Sequence, residues 1–327
     1  MPNPKPRIEA VIGVDIGGTN IKIVLVDPRR GNVIDQVDLK TSAESGADAI
    51  VEELGTTLAA MILKARDDGI QVGVLGVGCA GVIDIQKGSV SVSPNLPGWE
   101  DFPLQKKLTQ ILRIPVRVFN DVDCIGYAEY RLGGSEMGNF LCIALGTGVG
   151  GSIIMDGRVW SERSTSAGEI GHMTIQPDGE RCLCGNRGCL ETLASAGWLV
   201  RRAEERLRQG FSSTLRDYLE RNGSLKAEYI QQAAKQGDGL AQELFNLVGI
   251  SLAIAIANVV QLLGIQSVVI AGGLVNAWDF FIGPLKKELN NRLTMVRPPD
   301  FKVVRTELGH HAGALGAAYL ATEAGEL

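Results

Sequence analysis

The sequence predicts an α/β protein built from two similar halves, and three observations lead there. Short β-branched runs alternate with segments of helical period along the 327 residues, the pattern of an α/β chain. A strand, glycine turn and strand near the start (VIGVD-IGGT-NIKIVLVD) return near the middle as FLCIAL-GTGVGG-SIIMDG, which suggests a duplicated architecture. The length is enough for two domains, each with its own core.

Taken in order, residues 11–15 form a buried strand, IGGT turns the chain, and IKIVLVD runs back as a second strand. Residues 47–65 repeat apolar side chains at helical spacing. VLGVGCAGVID, residues 74–84, reads as one buried strand ending in glycines. Residues 116–119 make another strand that closes on Asn120-Asp121, and VDCIGYAEYRLG reads as a helix stopped by Gly133-Gly134. After the second hairpin come helices over 198–208, 225–236 and 239–263, the last long and apolar. SVVIAGGLV gives a strand and a turn at Ala271-Gly272-Gly273, and 313–321 is a helix of small residues. The repeat places the domain break near residues 118–120.

Composition narrows the function. Hydrophobic residues make up 45% and charged residues 21%, the balance of a soluble globular protein. A net charge of −5 and a sequence pI near 5.4 oppose a nucleic-acid surface. The first fifteen residues lack the apolar core of a signal peptide. The apolar run from Ser251 is interrupted by polar residues and reads as too short for a bilayer. A cytoplasmic protein without nucleic-acid or membrane partners is expected. Cys79, Cys124 and Cys142 lie singly in apolar surroundings, as small hydrophobes do. Only Cys182, Cys184 and Cys189 cluster, which in a reducing compartment points to metal or redox chemistry.

With His172, those three cysteines supply one nitrogen and three sulfurs, the ligand set of a closed tetrahedral zinc site. Glu169 and Glu191 bracket the stretch. A chance grouping in a glycine-rich loop, or a disulfide, is the alternative. Asp15-Ile16-Gly17-Gly18-Thr19 ends a strand. Its glycines let backbone N–H groups approach a phosphate, Thr19 adds a hydroxyl, and an aspartate beside phosphates calls for Mg²⁺ between them. No Gly-Lys-Ser/Thr follows, so this is not a Walker loop. Leu145 to Gly151, with Gly146, Thr147, Gly148 and Gly150, is a second candidate cradle. Gly272-Gly273 either accepts an adenosine or simply turns a strand. At Asn120-Asp121 a strand-end carboxylate suits a general base, while the same pair suits a helix N-cap. Asn95 lies in a Pro/Gly-rich loop, and His310-His311 read as surface or capping residues.

Eight motifs then line up in order: DIGGTNIK (15–22), GCAGVID (78–84), PNLPGW (94–99), FND (119–121), LGTGVGG (145–151), AGEIGH (167–172), CLCGNRGCLE (182–191) and AGG (271–273). On these the chain resembles the ROK family of sugar kinases and repressors, over nearly its whole length, and within it the bacterial ATP-dependent glucokinases. The resemblance implies a two-lobed actin-like ATPase (ribonuclease H-like) fold with a cleft between duplicated α/β domains. The first would be residues 1–119, completed by a C-terminal helix at about 308–327, and the second 120–307. It implies transfer of the γ-phosphate of ATP to the 6-hydroxyl of glucose, with Asp121 as catalytic base. Gly81, Asn95, Asn120, Glu169, His172 and Glu191 match sugar-contacting positions. Asp15, Gly17, Gly18, Thr19, Lys22, Gly146, Thr147, Gly148, Gly150, Gly272 and Gly273 fall on the ATP side. Mg²⁺ is implied with the nucleotide, and a structural Zn²⁺ on His172, Cys182, Cys184 and Cys189. A homodimer is a family expectation.

The chain departs from the family pattern at Ser152, where many members have glycine, at Cys79 and Cys124, and in the STSAGEIGH lead-in. Substrates that share the motifs are N-acetylmannosamine, N-acetylglucosamine, fructose and allose. A non-catalytic sugar sensor is the rival outside catalysis. A repressor would carry a helix-turn-helix before DIGGT, for which the fourteen residues ahead of Asp15 leave no room.

Overall fold

In the computed structural model, residues 8–93, 96–133, 138–163, 167–295 and 301–323 are described. Asn95 and Gly134 therefore lie outside the described residues. In chain order the elements are β1 (Ile8–Ile16), β2 (Asn20–Asp27), β3 (Asn32–Lys40), α1 (Ala47–Asp67), β4 (Ile70–Cys79), β5 (Val82–Asp84), β6 (Ser89–Val92), α2 (Leu104–Leu112), β7 (Val116–Asn120) and α3 (Asp121–Leu132). There follow β8 (Phe140–Leu145), β9 (Val149–Met155), β10 (Arg158–Val159), α4 (Glu191–Ala194), α5 (Ala196–Arg208), α6 (Leu215–Asn222) and α7 (Ala227–Lys235). The last are α8 (Gly239–Leu263), β11 (Ser267–Ala271), α9 (Trp278–Arg292), β12 (Lys302–Arg305) and α10 (Ala312–Glu323).

Two compact units divide the chain. The first is Met1–Glu136, Ser152–Ala167 and Glu307–Leu327; the second is Met137–Gly151 and Gly168–Thr306. The sequence reading set the break at 119/120. The structure keeps α3 in the first unit, because that helix packs along α10.

The first unit is built on a sheet of order β3-β2-β1-β4-β7. Its first three strands are antiparallel neighbours, and β1, β4 and β7 run parallel. Side chains alternate across a strand, and here the alternation separates two kinds of packing. Ile12, Val14 and Ile16 of β1 and Leu75 and Val77 of β4 share a core with Leu54, Leu58 and Met61 of α1. The intervening Gly13 and Gly76 meet α10 instead. A Cβ on either would stand 1.9 Å from a backbone oxygen, that of Ala314 or of Ala317. On α10 itself, a Cβ at Gly316 would lie 1.7 Å from the carbonyl oxygen of Cys124 in α3.

The expected single strand over 74–84 is two. β4 ends at Cys79 and β5 begins at Val82. Gly81 turns the chain between them at φ +120°, where an added Cβ would meet the Val92 oxygen at 2.3 Å.

In the second unit β8 pairs parallel with β11, and β11 with β12. The sheet order is β10-β9-β8-β11-β12, and β9 carries the chain back into the first unit at Ser152. Helix α8 packs against α9, α7, α5 and α4. By length and composition α8 can cross a membrane, contrary to the reading of its run as too short. Capping by Asp238, whose side chain accepts from the Ala241 N–H, starts the helix well before Ser251. Leu244, Phe245, Val248, Leu252 and Ile256 are buried along it, which is the packing of a core helix. The strands β3, β6 and β12 and the helices α2, α6 and α9 are further elements that the sequence reading did not single out. α9 forms around Pro284 because Phe281, Leu285 and Leu289 bury one face of it.

Gly316→Ala is expected to cost about 1–3 kcal/mol through overpacking. Gly239→Ala, at the exposed first residue of α8 with open space around the new methyl, should be neutral or gain about 0.4–1 kcal/mol. Thermal melts of the two variants check the contrast.

Candidate active site

In the first unit, β1 and β2 form a hairpin whose turn is closed by Gly17 N–H donating to the Asn20 oxygen at 3.1 Å. Thr41 braces it from the end of β3: its N–H donates to the Thr19 oxygen at 2.9 Å, and its hydroxyl to the Gly17 oxygen at 2.7 Å. Nothing in the sequence marks Thr41 for this work. Gly18 is half-buried and Thr19 exposed, so the turn presents its backbone and one hydroxyl to solvent. Asp15 stands opposite Lys22 across the β1–β2 pair, with Lys22 Nζ 3.7 Å from its carboxylate. Burial raises the Asp15 pKa, while Lys22 and, more weakly, His311 pull it down.

Asn120 and Asp121 divide the two roles that the sequence left open. Asn120 caps α3: its Oδ1 accepts from the N–H groups of Val122 (2.8 Å) and Asp123 (3.1 Å). Its Nδ2 donates to the Gly81 oxygen at 3.0 Å, which ties the β4–β5 turn to the same corner. Asp121 is left as the first residue of the helix, with a partly enclosed carboxylate. Burial first, and then the charge of Asp15, push its pKa to about 7. Two carboxylates that repel through a partly dry site suit a hard divalent cation with oxygen ligands, so the residues present fit Mg²⁺.

In the second unit, β8 and β9 make the other glycine hairpin, closed by Gly146 N–H to the Gly148 oxygen at 3.0 Å. Thr147 at its tip is exposed, and Gly150 lies just inside β9. Glu191, the first residue of α4, accepts from the Val149 N–H at 3.0 Å through Oε2. A Cβ at Gly148 would stand 2.4 Å from that oxygen. Glu191, expected on the sugar side, thus also holds the second glycine turn. Ala144 of β8 pairs with Ala271 of β11, so both following turns leave the carboxyl ends of neighbouring parallel strands, the usual ligand side of such sheets. Gly272 (φ +89°) passes over β8 with the Leu145 oxygen 2.4 Å from its Cβ position, while Gly273 is open.

The turn Ile170–His172 lies on the start of β9, where a Cβ at Gly171 would meet the Val149 oxygen at 1.9 Å. It carries Glu169 and His172 there. His172 Nε2 is 4.0 Å from Glu169 Oε2, and its Nδ1 is 3.7 Å from Cys182 Sγ. Cys184 and Cys189 hold their sulfurs 3.8 Å apart, and no disulfide joins any of the six described cysteines. The four ligand atoms lie within 4.8 Å of one another. Sulfurs bound tetrahedrally at ~2.3 Å stand ~3.8 Å apart, so the set fits zinc. Burial raises the Cys182 and Cys189 thiols, the latter to about 12, while the Asn186 N–H lowers Cys184. Thiols held this way ionise together only around a cation. Ladder bonds from Ile175 and Leu190, to the Gly188 and Met173 oxygens, clamp the loop. Leu183 at its tip is exposed.

Residues 11–324 match the model of the ROK family. A glucokinase from Halalkalibacterium halodurans is 34% identical over 315 residues, covering 94% of each chain. The structure of a ROK family glucokinase from Streptomyces griseus, in complex with glucose and AMPPNP, superposes with a TM-score of 0.80 at 31% identity, covering 96% of this chain and 99% of that one. A ROK family transcriptional regulator superposes at 0.84 with 25% identity, covering 96% of this chain and 78% of that one.

Two predictions follow from the geometry. Because the folded protein holds the Asp121 proton more tightly than the unfolded chain, ionisation of this group costs stability. The cost is absent below the ordinary value of 3.8 and complete above about 7. Asp121→Asn should therefore be more stable than the wild type at pH 8, by on the order of 1–4 kcal/mol, with the difference vanishing in acid; melts across pH measure it. Elemental analysis should find about one zinc per chain, lost in Cys184→Ser together with several degrees of melting temperature.

Proposed function

Because the chain belongs to the ROK family, we propose that it is an ATP-dependent sugar kinase that phosphorylates the 6-hydroxyl of glucose. The observation that carries this reading is the carboxyl of Asp121, at the first residue of α3, poised at about 7 by burial and the charge of Asp15. A base with that pKa is ionised to a useful extent near neutrality and still keeps a proton once it has taken one. Phosphoryl transfer asks little covalent chemistry of a protein: positioning, neutralisation of charge, and one proton acceptor suffice.

In this reading Asp121 accepts the proton of the sugar hydroxyl as its oxygen attacks the γ-phosphorus. Gly17, Gly18, Thr19, Gly146, Thr147, Gly148 and Gly150 supply turn donors to phosphate oxygens, and Gly272-Gly273 approach the adenosine. Magnesium, bound with the nucleotide, neutralises phosphate charge, and Asp15 is the side chain assigned to hold it. Lys22, paired with Asp15, tempers that carboxylate. Asn95, Asn120, Glu169, His172, Glu191 and the Gly81 backbone bind the sugar. Glu191 spends one oxygen on Val149, which leaves the other for a hydroxyl. His172, Cys182, Cys184 and Cys189 would hold a structural zinc; the His172 Nδ1 lies on the Cys182 side and its Nε2 on the Glu169 side. A buried polar site of this kind rejects analogues that lack a hydroxyl.

A coupled ADP-release assay with glucose tests the proposal. Turnover is expected in the wild type, with kcat/KM rising about tenfold per pH unit below ~7 and flat above. Asp121→Ala should lose about 10²–10⁴ of the rate; full turnover in that variant sinks the kinase reading. A panel of hexoses at fixed ATP tests the sugar, and a tenfold better kcat/KM for an N-acetylated hexose, fructose or allose replaces glucose as the substrate.

A further inference from the structure

A second group of metal-ligating side chains lies in the first unit, distinct from the cysteine loop and next to the Asp15–Lys22 pair. Asp38 is on β3, directly across from Lys22 of β2. His310 and His311 occupy the turn that enters α10, closed by Ala312 N–H to the Gly309 oxygen at 3.1 Å. His311 Nε2 lies 2.7 Å from Asp38 Oδ1, and His310 Nε2 lies 3.6 Å from Asp38 Oδ2. The three ligand atoms fall within 4.8 Å of one another.

A single hydrogen bond accounts for His311 and Asp38. It does not account for His310, whose ring centroid stands 4.1 Å from that of His311 and whose Nε2 converges on the same carboxylate. Two imidazolium cations at that separation repel, whereas two neutral rings lending lone pairs to one ion attract it. We propose that Asp38, His310 and His311 bind a divalent transition-metal ion. Two imidazoles and one carboxylate select zinc, cobalt, nickel or copper over magnesium or calcium, whose ligands are oxygens. The site is half built: the His311 side chain is only 13% exposed and bonded to Asp38, whereas Asp38 is 51% and His310 68% exposed. Three protein ligands leave the remaining positions to water or to an external anion. The ion pins β3 to the start of α10, where Gly313 packs on Asp15.

Cobalt(II) chloride titrated into the zinc-loaded protein tests this by visible absorption and equilibrium dialysis. One further cobalt per chain is expected. Its bands should lack the near-ultraviolet thiolate charge transfer that cobalt in the cysteine loop would show. His310→Ala and Asp38→Ala should each weaken that second equivalent at least tenfold and leave zinc content unchanged. His310→Ala, at an exposed position, should melt with the wild type when no metal is added. No second equivalent up to millimolar cobalt, or an affinity unchanged within twofold in both variants, overturns the proposal.

Discussion

The first unit depends on backbone lying directly against backbone. Gly13 and Gly76 leave no side chain between the sheet and α10, and Gly316 leaves none between α10 and α3. Contacts this close hold two helices and two strands at one fixed separation, because an interior packed at crystal density does not yield by fractions of an ångström. The same closeness would put a Cβ at Gly313 only 2.8 Å from the Asp15 carboxylate, and a Cβ at Gly78 3.6 Å from the Asp121 Cα. Two acidic side chains, one at the end of β1 and one at the start of α3, thus repel each other in a poorly hydrated corner. The raised pKa of Asp121 is a by-product of how the helix is seated.

The second unit reaches a comparable precision by other means. Its glycine turn is held by a side chain, Glu191, through the Val149 N–H. Glu191 stands two residues after Cys189 and begins α4, so the cysteine–histidine group, the helix start and the turn form one short chain of contacts. His172 sits across the same strand start through Gly171. A metal in the loop would therefore stiffen the turn as well as the loop, since a constraint on Cys189 is a constraint on the carboxylate that follows it.

What the sequence revealed depended on how locally each feature is encoded. Both hairpins and the helices α1, α3, α5 and α10 were legible, because β-branched runs, glycine turns and helical spacing are properties of neighbouring residues. The cysteine loop was legible for the same reason, with Cys182, Cys184 and Cys189 within eight positions. The break at Gly81 was not, because the oxygen that forbids a side chain there belongs to Val92 on another strand. Pro284 hid α9, whose existence rests on burial against α8. The domain limit near 119 followed the repeat, whereas α3 packs on α10, and Arg131 of α3 and Glu323 of α10 are 192 residues apart. Capping by Asn120 and bracing by Thr41 are hydrogen bonds to groups that no single-sequence pattern can locate.

The seating of α10 also orders the life of the chain. Gly13 and Gly76 wait for a helix that is translated only after the whole of the second unit, so the first unit cannot close while the second is being made. Until then the groove over Gly13 and Gly76 is bare and the sheet is covered on one face only. The second unit, by contrast, is complete once Thr306 has emerged, and domains generally fold as units during synthesis. The unit that is translated second is thus able to finish first, and the unit begun before it must stay open until α10 has been made.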